Sequence, residues 1–296
     1  MHTNPAKGVL IIGCGDVGLR LAAPYRAEGH DVAGVVRSAE SAAALKAAGV
    51  QPVRCDLDGG DLPGFPSDGA ALFYLAPPLD VGTDDLRIER VLAHLELTGA
   101  PARFLYMSTT GVYGDCGGRW IDESAPLNPS THRAQRRISA EGAVRKWCRE
   151  QGIPWVILRV PAIYGPGRLL IERLKSGQPT VRPEQCSYTN RIHVHDLVTV
   201  CRTAMARAPE NSVYNVSDGN PSTITDYLFQ LAELTGLPQP PLISMQEAEK
   251  SLSPSLMSFL KESKRIHNLK MLEELGVMLR YPDLKSGLRA SLAEEA

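Results

Sequence analysis

At 296 residues, 43% hydrophobic and 22% charged, the chain has the composition of an ordinary folded protein and the length to bury a sizeable core, which excludes an intrinsically disordered protein. Lys plus Arg (32) nearly balance Asp plus Glu (33), so a formal net charge of -1 supplies no general attraction to nucleic acid or to an anionic membrane. The six cysteines (Cys14, Cys55, Cys116, Cys148, Cys186, Cys201) contain no CxxC pair, against a zinc site or disulfide framework, and no apolar run has signal-peptide or bilayer-spanning length, so a reducing, cytoplasmic location is expected.

Residues Gly8 to Ile12 are an apolar run that predicts a strand, ending at Gly13, and Asp16 to Glu28 predicts a helix closed by Gly29. Asp31 to Val36 predicts a second strand, the Ala-rich stretch Ser38 to Ala48 a helix ending at Gly49, and Gln51 to Arg54 a third strand. Further strands are expected at Ala70 to Leu75, Arg103 to Met107 and Trp155 to Val160, with helices near Asp84 to Leu97 and Ala134 to Glu150. This alternation predicts an α/β fold with a doubly wound parallel sheet of Rossmann type. Beyond Pro161 the alternation weakens at Gly165-Pro166-Gly167 and Pro179, before a strand at Ser212 to Val216 and more helices. The expected division is an NAD(P)-binding Rossmann domain over 1–165, with 191–217 returning to it, and a smaller substrate-side lobe over 166–296. With no internal repeat or long linker, the two parts are expected to pack as one body.

Gly13-Cys14-Gly15-Asp16-Val17-Gly18 matches G-x-G-x-x-G directly after a predicted strand and at the start of a predicted helix, the context that gives the motif its meaning. Gly13 permits a tight turn, Gly15 lets the backbone approach a pyrophosphate, and Gly18 allows close helix–strand packing. The helix N-terminus beside them presents about half a positive charge and free N–H groups to the phosphates. The alternative is a glycine-rich turn without a ligand. Folds that prefer NAD place an acid some 20 residues on, to bond the ribose 2′-hydroxyl. Here that place reads Val35-Val36-Arg37-Ser38, where Arg37 suits a 2′-phosphate as a fork and Ser38 as a donor, so NADP is expected over NAD. The alternative for Arg37 is a solvated loop residue. Asp56 is a candidate for the adenine edge or a simple turn or cap, and Leu57 and Ala76 complete the expected cofactor-binding set.

Several segments then line up with one family: the glycine turn, Phe104 to Gly114 (FLYMSTTGVYG), Leu158 to Gly167 (LRVPAIYGPG), Arg191 to Asp196 (RIHVHD) and Val213 to Asp218 (VYNVSD). The tail, Lys264 to Asn268 followed by Tyr281 to Gly287, fits as well. Together they make the chain resemble the extended and atypical short-chain dehydrogenases/reductases, the NAD(P)-dependent epimerase/dehydratase family, over nearly its whole length. The resemblance implies that Thr109, two residues before Gly-Val-Tyr-Gly, hydrogen-bonds the reacting oxygen. It also implies a tyrosine and, four residues later, a lysine at a fixed distance before Ala140-Glu141, and counting back meets Arg133 and Arg137 instead.

A guanidinium stays protonated near neutral pH and cannot exchange the proton that balances hydride transfer. Replacement acids are sought in Tyr113, His132 and Tyr164; Tyr113 and Tyr164 alternatively pack the site wall, and His132 is alternatively solvated at a helix start. Arg137 keeps the positive charge, to bond the nicotinamide ribose or, with Arg133 one turn away, to form an anion clamp; the alternative is that Arg133, Arg136, Arg137, Arg145 and Arg149 decorate a solvated helix. His193-Val194-His195-Asp196 would share a strand face as a metal site requires, but Asp196 is better explained as the N-cap of a helix from Leu197 to Ala206, and no metal is expected. Two functions follow: an NADP-dependent oxidoreductase or epimerase/dehydratase-like enzyme, acting on a nucleotide sugar by resemblance, or a catalytically silent NADP(H) binder that senses redox state or regulates a partner. The expected ligand besides the nucleotide is a small-molecule substrate, anionic if the clamp exists, with no nucleic-acid or membrane partner.

Overall fold

The computed structural model describes residues 6–295. Seven strands, β1 (Val9–Ile12), β2 (Val32–Val36), β3 (Gln51–Arg54), β4 (Ala71–Tyr74), β5 (Arg103–Thr109), β6 (Trp155–Val160) and β7 (Ser212–Asn215), form one sheet in the order β7-β6-β5-β4-β1-β2-β3. The pairs β1–β2, β1–β4, β2–β3 and β4–β5 are parallel, with Val9 opposite both Val32 and Ala71. Every residue of β1, β2, β4 and β6 is buried, as expected of a parallel sheet covered on both faces. Pro52 is tolerated because β3 is an edge strand with one free side.

Helices α1 (Asp16–Ala27), α2 (Ala39–Ala47), α3 (Leu86–Thr98), α4 (His132–Gln151) and α5 (Val194–Arg207) fall within a few residues of their predicted bounds. Ser38 caps α2 by accepting from the Ser41 N–H at 3.0 Å. Asp85 caps α3 by accepting from Arg87 and Ile88. Ile88, Val91, Leu92 and Leu95 of α3, with Ala140, Val144, Trp147 and Cys148 of α4, pack on Leu10, Leu72, Tyr74, Phe104, Tyr106 and Ile157 of the sheet. Removing this apolar area from water, at roughly 25 cal/mol per Å², is the main force holding the layers together.

The chain divides into two compact units. The first holds the residues up to Val112, His132–Arg159 and Val198–Tyr214; the second holds Tyr113–Thr131, Val160–Leu197 and the residues from Asn215 onward. The chain thus leaves the first unit at 113, returns for α4 and β6, and returns again at 198. The second unit has its own core of Tyr164, Leu174, Tyr227, Leu228, Leu231, Leu284 and Leu288. Its helix Ile224–Thr235 starts at a Thr223/Asp226 capping box and ends at Gly236 in the left-handed conformation.

One expected element changes character. Asp196 is not an N-cap: α5 begins at Val194, and the Asp196 carboxylate accepts from the backbone N–H groups of Arg280 (2.8 Å) and Tyr281 (2.9 Å). His193 ends a short strand while His195 lies on α5, so the two do not share a strand face as the sequence pattern suggested. Among the described residues no helix is long and apolar enough to cross a membrane.

Candidate cofactor and active site

The three motif glycines are required for different reasons. Gly13 has φ +82°, and a Cβ there would sit 2.5 Å from the Ala76 backbone nitrogen, so the turn and the neighbouring strand end both demand glycine. Gly18 packs against Cys14 and Ile11, where a Cβ would lie 3.0 Å from the Cys14 sulfur, in keeping with close helix–strand packing. Gly15 differs: a Cβ there would meet no protein atom within 4 Å. It opens onto a cavity of about 470 Å³ lined by Gly13, Cys14, Arg37, Ser38, Asp56, Leu57 and Ala76, among others.

The cavity thus brings together most of the cofactor residues expected from sequence. Asp16, Val17 and Gly18 are not among its lining residues, and Asp16 pairs with Arg20 on α1 at 2.9 Å. Arg37 is exposed at the end of β2. Ser38 and Ser41 share a hydrogen bond between their hydroxyls at 2.9 Å while both line the cavity. Asp56 makes an Asx-type turn by accepting from the Asp58 N–H at 3.1 Å. Sequence reasoning missed Ser41 and Arg87; neither belongs to a motif, and only the fold turns them toward the glycine turn. An open cradle at Gly15, helix N–H groups beside it and a cation at the end of β2 fit a dinucleotide.

Thr109 ends β5, half-buried, with its Oγ1 accepting from the Gly111 N–H at 3.2 Å. Arg133 is half-buried on α4. Arg137 is bound to the sheet rather than displayed to solvent: Nη1 donates to the Tyr106 hydroxyl at 3.0 Å and to the carbonyls of Met107 (3.1 Å) and Ala76 (3.4 Å). Arg136 is buried and donates to Gly82 O and Asp80. Of the α4 arginines named, Arg149 alone is exposed; Arg136 finds acceptors in the loop before α3, Arg137 at Ala76, Tyr106 and Met107, and Arg145 on Glu141 of α4 itself, so these three do not merely decorate a solvated helix.

The replacement acids fare differently. Tyr113 is buried and its hydroxyl donates to Asn215 Oδ1 at 2.8 Å, which makes it part of a packed wall. Tyr164 is buried, and desolvation pushes its hydroxyl far above the ordinary phenol range, so it stays protonated. His132 is exposed as the first residue of α4. On α4, the buried Glu141 accepts from Ser108 (2.7 Å), from Arg159 Nε (3.1 Å) and Nη2 (2.8 Å), and from the half-buried Arg145 Nη2 (3.2 Å).

The profile of the NAD dependent epimerase/dehydratase family matches residues 9–217. The chain belongs to that family. Protein YeeZ of Escherichia coli (strain K12) is 28% identical over 290 residues, covering 94% of this chain and 97% of that protein. A solved structure of a functionally unknown conserved protein from Silicibacter pomeroyi superposes with TM-score 0.84 at 33% identity, covering 97% of this chain and 99% of the other. MoeE5, solved in complex with UDP-glucose and NAD, shares the fold at TM-score 0.75 and 20% identity, with 97% of each chain covered.

Proposed function

We propose that this protein is an NADP(H)-dependent oxidoreductase or epimerase/dehydratase-like enzyme acting on a nucleotide sugar or a similar carbonyl or hydroxyl compound. The observation that carries the reading is the single cavity in which the unobstructed Gly15 and the exposed Arg37 stand together, with no acid at the end of β2 to claim a ribose 2′-hydroxyl. Arg37 is assigned to the 2′-phosphate, with Ser38 as a donor beside it; Gly13, Gly15 and Gly18 form the pyrophosphate turn, and Asp56, Leu57 and Ala76 line the remainder. The nucleotide-sugar class is supported by the UDP-glucose held by MoeE5 on the same fold.

A bound nicotinamide supplies the hydride donor or acceptor. Thr109 holds the reacting oxygen by a hydrogen bond. Arg133 and Arg137 remain cationic, orient anionic groups and take no proton. Loss of a positioned acid/base costs about 3 to 5 kcal/mol of barrier, so turnover is expected to be slow unless the substrate brings its own acidic group.

The test is a fluorescence titration with NADPH and NADH, with Arg37→Ala as control. Binding of NADPH at about micromolar Kd, weakened in the variant while NADH is indifferent to it, supports the assignment. Equal binding of both nucleotides overturns the NADP preference, and binding of neither overturns the reading. Hydride transfer to a panel of carbonyl sugars, slowed by Thr109→Ala at unchanged NADPH affinity, tests the chemistry; a blank panel with tight NADPH binding would leave a binder without turnover.

A further inference from the structure

Arg87 joins two walls of the nucleotide cavity that the sequence places far apart. Its Nε and Nη2 each lie 2.5 Å from one carboxylate oxygen of Asp58, in a bidentate pair, and its Nη1 donates to the Pro77 carbonyl at 2.7 Å. Asp58 belongs to the segment after β3 that contributes Cys55, Asp56 and Leu57 to the cavity, and Pro77 follows Ala76 at the end of β4. The segment after β3 has neither helix nor strand from 55 to 70, and its own hydrogen bonds are a few local turns, as at Asp56, so contacts from elsewhere help to fix its course. One face of α3 supplies them: besides Arg87, Arg90 donates to Leu57 O (2.6 Å) and Gly60 O (2.5 Å), and the His94 ring bonds Pro63 O (2.7 Å), at the i, i+3 and i+7 positions.

We propose that Arg87 is a positioning residue for the dinucleotide: paired with Asp58 and Pro77, it cross-links the cavity walls after β3 and β4 and so holds the site open in its binding geometry before the ligand arrives. The inference rests on the nucleotide reading above. A rival role is available to Arg87, as a cation that waits for a phosphate and is restrained by Asp58. The two roles differ in sign. Removing the Asp58 charge beside an anionic ligand strengthens binding if Arg87 is a restrained phosphate ligand, and weakens it if the pair is a cross-link, because preorganisation is lost.

The experiment titrates NADPH into wild type, Arg87→Met, Arg87→Lys and Asp58→Asn in the full chain, alongside amide hydrogen exchange without nucleotide over 55–60 and at Ala76 and Leu79, the amides that flank Pro77 and Pro78. The cross-link predicts an affinity loss of about tenfold in all three variants, lysine failing to rescue because one ammonium cannot span a bidentate carboxylate and a carbonyl. It also predicts faster exchange in both segments of Arg87→Met at an unchanged far-UV spectrum. Tighter or unchanged NADPH binding in Asp58→Asn overturns the proposal, as does unchanged exchange in Arg87→Met. If wild type binds no nucleotide, the functional reading fails separately, and the exchange data alone decide whether the cross-link exists.

Discussion

The Arg137 guanidinium donates to the Tyr106 hydroxyl at 3.0 Å, which ties α4 to β5. Replacing it by Met leaves the Tyr106 hydroxyl and the carbonyls of Ala76 and Met107 without this donor. The expected loss for Arg137→Met is about 2–4 kcal/mol in urea unfolding at constant m, and for Arg137→Lys about half of that, since an ammonium reaches some of the acceptors. A Met variant as stable as wild type would show that the three bonds contribute nothing net.

Glu141 and Arg159 are both buried and paired, and Ser108 and Arg145 also donate to the Glu141 carboxylate. Breaking such a pair from one side strands a buried charge, at about 3–5 kcal/mol, whereas replacing both by apolar residues costs less than the sum. Arg159→Met and Glu141→Leu are therefore expected to be strongly non-additive in a double-mutant cycle. Additive losses would mean that the two residues act independently.

Gly13→Ala and Gly15→Ala should separate stability from binding. At Gly13 the positive φ and the collision with Ala76 both oppose a methyl group, so a loss of about 2 kcal/mol or more in folding stability is expected. At Gly15 φ is -79° and the added methyl touches no protein atom, so stability should hold within about 0.5 kcal/mol while NADPH affinity falls. Equal thermal shifts for the two variants would contradict this.

Asp218 predicts a pH dependence. Burial pushes its carboxyl from the ordinary 3.8 up to about 7, against the pull of the Asn220 N–H and the Arg191 charge, with Asp283 and Asp196 adding to the rise. Between those values the folded protein holds a proton that the unfolded chain has lost, so this group makes stability fall as pH rises from 4 to 7 and adds no slope above. Asp218→Asn should remove that slope, gaining up to roughly 4 kcal/mol on wild type at pH 8 relative to pH 4. Parallel stability curves for the two proteins would refute the raised carboxyl.

The seven sheet strands and the glycine turn were legible in the sequence because their signals are local. A run such as Val9–Ile12 is apolar on both faces, and Gly13 sits where the chain must turn at positive φ; each is decided by a residue and its immediate neighbours. What the tertiary structure decided were the fates of polar groups whose partners lie far along the chain. The apolar stripe of α4, Ala140, Val144, Trp147 and Cys148, marks the buried face only over its second half; in the first half, Arg137 is placed by acceptors 30 to 61 residues away, at Met107, Tyr106 and Ala76. Asp196 looked like a cap because Asp often is one, and it serves Arg280 and Tyr281 instead, 84 and 85 residues on. Arg87 carries no motif and meets Asp58 across 29 residues only once α3 has docked on the sheet. Backbone preference and hydrophobic period are written in neighbouring residues, whereas a buried charge takes whichever partner the packed fold brings within hydrogen-bonding distance.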